Sequence, residues 1–166
     1  MDLDQLNRLG PEEARRAFTD CCASDAWADA MTDRRPFTDE TALLDAAREI
    51  WRTLDPSAWD EAFDAHPRVG ESRQGDDRHD AWSRHEQEEA GRGPTEVLDR
   101  LAERNGEYEA RFGRVFLVFA TGKSAEDLLR LCEDRLGNDP ATELAIAAAE
   151  QEKITDLRLR RLVGID

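Results

Sequence analysis

His66, His79 and His85 are the three histidines of the chain, and imidazole is the side chain that exchanges a proton most readily near neutral pH. His66 stands where its helix must end, because Pro67 follows it, so a plain interaction with the helix dipole would also explain it. His79 lies in a polar stretch, and His85 stands between Arg84 and Glu86. Their local sequences do not choose among the three. Ser83, Glu86 and Gln87 form a Ser-x-x-Glu-Gln group. It is either a capping box that opens a helix, or a carboxylate and an amide turned to a pocket. Arg158 falls near the middle of an apolar arc made by Leu144, Ala147, Ala148, Ile154, Leu159 and Leu162, at roughly 100° per residue. Lys153 and Arg160 project to the opposite side, and Gln151 shares the arc two turns before Arg158. An arginine facing a core needs a carboxylate partner or a ligand, and its planar fork suits carboxylate or carbonyl oxygen.

The elements that must position these groups read almost entirely as helices. Pro11 opens one with Glu12 and Glu13 in its first turn, and Ser24 caps the next through Met31 until Arg35-Pro36 interrupts. After Asp39, residues Leu43, Leu44, Ala47, Ile50, Trp51 and Leu54 give the clearest amphipathic pattern. Asp55-Pro56 starts the helix that must stop near His66, and Val69 to Asp80 is one long polar break. Helical pattern resumes from Trp82 to Ala90 and again from Thr95 to Phe112. Val115 to Ala120 is a continuous apolar run, for which periodicity leaves a buried strand and a buried helical turn equally open. Ser124 with Asp127 caps the following helix, Gly137 ends it, and Asp139-Pro140 starts the last, which reaches Leu162. The expected fold is all-α, a single-domain bundle of about eight helices over residues 1–166.

Composition narrows the function from the other side. The formal charge of −15 disfavours nucleic acid, which needs a basic stripe, and disfavours a peripheral membrane role. No apolar run is long enough to span a bilayer, no leader pattern opens the chain, and Gly164-Ile165-Asp166 is not a peroxisomal tripeptide, so a cytoplasmic protein is expected. Cys21, Cys22 and Cys132 have neither disulfide-framework nor zinc spacing, so reduced buried thiols and no metal site are expected. Lys123 and Lys153 are the two lysines among 23 basic residues. An acidic, lysine-poor surface suits a salt-rich cytoplasm, although a GC-rich genome would also exchange lysine for arginine.

His66-Pro67-Arg68-Val69-Gly70-Glu71 resembles the His-Pro-x-Ile/Val-Gly-Asp/Glu signature of the cofactor-free decarboxylases that finish urate breakdown. The similarity continues through Arg35-Pro36-Phe37, Glu86-Gln87, Asn105 with Tyr108, and Phe112-Gly113. It runs on over Phe116 to Ser124, Arg135-Leu136-x-Asn138-Asp139, Glu143-Leu144, Glu150-Gln151 and Leu157-Arg158-Leu159. Arg114, the extra acids Glu88-Glu89 and the arginine-rich acidic stretch after Glu71 depart from it. The resemblance implies an all-helical homodimer that converts 2-oxo-4-hydroxy-4-carboxy-5-ureidoimidazoline to (S)-allantoin without metal or organic cofactor. It further implies a catalytic group of His66, Glu86 and Arg158, and a pocket lined by Pro67, Ser83, Glu86, Gln87, Phe116, Leu117, Val118, Phe119 and Ala120. A functional association with hydroxyisourate hydrolase belongs to the same expectation. Two competing readings are another cofactor-free lyase or hydrolase of a ureido compound on this fold, and a non-catalytic helical binding module.

Overall fold

In the computed structural model, residues 1–69, 82, 85, 86, 88 and 92–164 are described. Among them run eight α-helices and no strand: α1 (Leu3–Arg8), α2 (Pro11–Cys21), α3 (Asp25–Arg34), α4 (Glu40–Thr53), α5 (Pro56–Asp64), α6 (Thr95–Phe112), α7 (Ala125–Leu136) and α8 (Pro140–Leu162). The helix starts are written in the caps. The Ser24 hydroxyl accepts from Trp27 N, the Asp39 carboxylate from Ala42 N, and the Asp139 carboxylate from Thr142 N. Ser124 and Asp127 form a reciprocal capping box, and these bonds hold the Asp127 carboxyl below its usual range. Helix α6 stops at Gly113, whose φ of 70° lets its N–H return to Glu109 O at 2.8 Å. Gly137 ends α7 differently, in the right-handed region with φ −79°.

Two differences from the sequence reading have local causes. Helix α1 was not expected; Asp2 and Gln5 close a capping box around its first turn. Helix α3 continues past Met31 to Arg34, and its last turn is followed by Arg35, whose guanidinium donates to Thr32 O at 3.1 Å. The same guanidinium reaches Leu6 O at 3.0 Å and Leu9 O at 2.9 Å, so one side chain serves the carbonyl ends of two helices.

The chain divides into two compact units that share α8: Met1–Ala62 with Glu152–Asp166, and Phe63–Gln151. In the first, α2 packs on α3 and α3 on α4 around Phe18, Trp27, Met31, Leu43 and Ala47. Phe18 meets Trp27 and Phe37 edge-on at 6.0 and 6.4 Å, and the buried Trp27 indole donates to Ala47 O at 3.1 Å. Asn7 pairs with the Phe37 backbone in both directions at 2.9 Å, fixing the turn after α3. The second half of α8 is tied to α4 by Arg48 with Asp156 and by Arg52 with Glu152. In the second unit α6 packs on α7 around Leu101, Tyr108, Phe112, Phe116, Leu128 and Cys132.

Cys21, Cys22 and Cys132 are buried thiols outside any disulfide, as expected. Burial pushes the Cys22 thiol up to about 12, against the opposing pull of a Thr155 hydrogen bond and the Arg158 charge. Burial does the same to Cys132, also to about 12, so neither is a thiolate nucleophile near neutral pH.

Candidate active site

Helix α8 carries a single polar-and-apolar stripe at helical spacing, Glu143, Ala147, Gln151, Ile154, Arg158 and Leu162, and every one of these residues is buried. Glu143, Gln151 and Arg158 are each 0% exposed. The arc that joined Arg158 and Gln151 in the sequence therefore extends back to one further polar residue, Glu143. Charges and amides this deep call for hydrogen-bond partners, and Arg135 and His66 supply them for Glu143 and Gln151.

Glu143 is the hub of the second unit. Its carboxylate accepts from Arg135 Nε at 2.7 Å, from Asn138 Nδ2 at 2.9 Å and from the Tyr108 hydroxyl. Burial, with the Glu143 hydrogen bond, raises the Tyr108 phenol well above its ordinary range, so it stays a donor. Arg135 also donates to Leu117 O at 2.7 Å and lies 4.8 Å over the Phe116 ring.

That network settles the apolar run. Residues 115–120 are neither strand nor helix but an irregular segment, with Phe116, Leu117, Val118 and Ala120 buried and Phe119 half-buried. Its polar backbone is served by side chains: Arg135 on Leu117 O, Glu150 accepting from Phe119 N at 2.7 Å, and Lys123 donating to Phe119 O at 2.5 Å. A buried backbone without a ladder needs such partners, which helices α7 and α8 provide. Replacing Glu143 with Ala should orphan the buried Arg135 and loosen this segment. The expected cost is on the order of 3–5 kcal/mol in denaturant unfolding. A loss below about 1 kcal/mol would show the network to be incidental.

His66 follows α5, its N–H returning to Phe63 O at 3.1 Å, and its side chain is drawn inwards. The residue is 5% exposed, and Nε2 lies 2.9 Å from Gln151 Oε1. Pro67 and Val69 are buried beside it in sequence, and Val69 O accepts from Asn105 Nδ2 at 3.0 Å. Glu86 is buried, 8% exposed. The side chain of His85 is 66% exposed and lies 3.6 Å from Glu88. Burial thus separates two histidines that the sequence left level; His79, Ser83 and Gln87 lie outside the described residues.

His66, Pro67, Glu86 and residues 116–120 belong to the second unit, and Arg158 to the first. Arg158 is fully buried, and its charge acts on the Cys22 thiol that Thr155 also contacts. Among the described residues no group of three or more His, Cys, Asp or Glu side chains could hold a metal ion. Within the same residues no helix is long and apolar enough to cross a membrane. Sequence reasoning assigned no task to Glu143, Arg135 or Glu150. Glu143 could have been found by extending the Arg158 arc towards the start of α8, whereas the Leu117 and Phe119 backbone contacts join residues far apart in the chain.

A family model described as OHCU decarboxylase matches residues 7–160. The chain is 36% identical over 146 residues to the uric acid degradation bifunctional protein TTL of Arabidopsis thaliana, covering 86% of this chain and 45% of that protein. It thus spans less than half the length of that relative. It is 30% identical over 166 residues to the 2-oxo-4-hydroxy-4-carboxy-5-ureidoimidazoline decarboxylase of Amia calva, covering 98% of this chain and 95% of the other. A crystal structure of OHCU decarboxylase in the presence of (S)-allantoin superposes with a TM-score of 0.78 at 32% identity, over 89% of this chain and 96% of that one.

Proposed function

The chain belongs to the OHCU decarboxylase family, and on that premise we propose that it releases carbon dioxide from 2-oxo-4-hydroxy-4-carboxy-5-ureidoimidazoline and leaves (S)-allantoin. The observation that carries this reading is the match along nearly the full length of the Amia calva decarboxylase. The buried, hydrogen-bonded state of His66, the histidine of the family-like signature, agrees with it.

The reaction asks for little beyond orientation and proton management. The bond between the hydroxyl-bearing ring carbon and the carboxylate breaks, and its electron pair moves towards the adjacent C=N of the imidazoline ring. That imine serves as the electron sink which a cofactor would otherwise supply. The hydroxyl then loses its proton to become a ring carbonyl, and the ureido-bearing carbon gains one on a single face. Overall the carboxylate substrate takes up one proton and loses carbon dioxide.

In this reading His66 moves the protons, because imidazole can both accept and return one near neutrality. Glu86 sets the protonation of His66 or holds the substrate hydroxyl and ureido group. Arg158 contacts a substrate oxygen that keeps or gains charge through the step. Gripping the departing carboxylate would instead stabilise the ground state and oppose the reaction. On the family resemblance Pro67 and residues 116–120 are assigned to the pocket, and Ser83 and Gln87 are assigned to it by that resemblance alone.

A panel of ureido compounds tests the reaction class. The carboxylated ureidoimidazoline should be consumed with release of carbon dioxide, and simple ureido compounds should persist. Hydrolysis of another ureido compound without carbon dioxide would replace this reading with a hydrolase.

Three finer features belong to the same proposal: a homodimer, a cytoplasmic location, and functional association with hydroxyisourate hydrolase. The Arabidopsis relative supports the last, being named bifunctional and more than twice as long as the part matched. Light scattering that returned the mass of one chain would remove the dimer.

The acidic, lysine-poor composition carries a separate prediction. At formal charge −15, self-repulsion reaches about 10 Å at 0.1 M salt and about 3 Å at 1 M. If the surface is adapted to salt, Tm should climb with potassium chloride up to molar concentration. A flat or falling Tm would leave the charge as a general aid to solubility.

A further inference from the structure

We infer that Gln151 is a positioning residue that fixes the tautomer of His66, keeping the proton on Nε2 and the basic lone pair on Nδ1. The inference rests on the decarboxylase reading for the identity of the substrate, and on the geometry of the second unit for everything else.

His66 Nε2 and Gln151 Oε1 lie 2.9 Å apart. A side-chain amide oxygen only accepts, so the ring nitrogen facing it must carry hydrogen. In the neutral imidazole the other nitrogen, Nδ1, then holds the lone pair where a proton is gained and lost. Both residues are deep, at 5% and 0% exposed, so water competes poorly for this bond. Gln151 is also anchored on a rigid element, in the middle of the buried stripe of α8.

The choice of an amide has a chemical consequence. A carboxylate facing the ring would favour the imidazolium, whereas an amide orients the ring without adding charge. The neighbouring carboxylate, Glu150, is engaged elsewhere, accepting from Phe119 N at 2.7 Å. Adjacent residues of α8 thus divide two tasks: Glu150 holds the backbone of the irregular segment and Gln151 holds the histidine. A ring free to take the other tautomer would present N–H where the reaction needs a base, and the turnover would fall with the population of the correct form.

The test is the tautomer itself, read from two-bond proton–nitrogen correlations on the full chain labelled with 15N-histidine. The His66 signals are identified by their loss in His66→Ala, with His79 and His85 as internal references. Above its titration His66 should be in the Nε2–H form. Gln151→Leu should shift it to a mixture and lower kcat by roughly 10- to 100-fold with KM little changed. A native His66 in the Nδ1–H form would overturn the inference, and so would a folded Gln151→Leu protein with native kcat. If Gln151→Leu fails to fold, the spectrum of the native protein still decides. A correct tautomer that Gln151→Leu loses, in a protein that leaves the ureidoimidazoline untouched, would uphold Gln151 and remove the substrate assignment instead.

Discussion

Replacing His66 with alanine is expected to lower turnover by about 10²- to 10⁴-fold, the range general acid–base catalysis supplies. The protein should remain folded. His66 sits after the last turn of α5, so no helix is interrupted. The loss includes the His66–Gln151 contact, and a buried polar group that gives up a hydrogen bond costs roughly 1–3 kcal/mol against a typical stability of about 5–15 kcal/mol. His85→Ala is the matched control, because that side chain is 66% exposed and lies 3.6 Å from Glu88, and it should stay active. His79→Ala is expected to behave likewise. Near-native rates from purified, folded His66→Ala on fresh substrate would take His66 out of the mechanism.

Arg158→Lys carries the second large effect. Arginine presents a planar fork of donors, and lysine keeps the charge without the fork. If Arg158 holds a substrate oxygen, kcat/KM should fall severely, while Tm changes little because the buried charge is retained. Arg160→Lys, on the half-exposed side of α8, should be nearly silent. A purely structural Arg158 gives the reverse pattern when truncated. Arg158→Ala would then cost on the order of 3–5 kcal/mol by orphaning a buried carboxylate, and Arg158→Lys would turn over normally. Tm and turnover on the same preparations separate the two roles. Wild-type turnover in folded Arg158→Lys would end the proposal that it clamps substrate.

The sequence was most informative where structure is local. Ser24 and Ser124 cap the helices they precede and Asp139-Pro140 starts the last, because a cap needs only a short polar side chain and the next turn. The inward position of Arg158 followed from helical periodicity, since one face of a long helix repeats whatever lies against it. Residues 115–120 resisted the same treatment. Six apolar residues have no period to read, and their backbone is held by nearby Lys123 and by Arg135 and Glu150 from elsewhere in the chain. His66 and His85 were indistinguishable for a related reason: burial is a property of what folds over a residue, not of its neighbours in sequence. The proposed catalytic group of His66, Glu86 and Arg158 rests on resemblance to a family.

Generating the unstable ureidoimidazoline in situ and following the product by circular dichroism tests the proposed decarboxylation. An (S)-allantoin signal should appear at a rate that scales with the concentration of the native protein, and His66→Ala and Arg158→Lys should largely lose it. Formation of racemic allantoin at the same rate with and without the protein would contradict it.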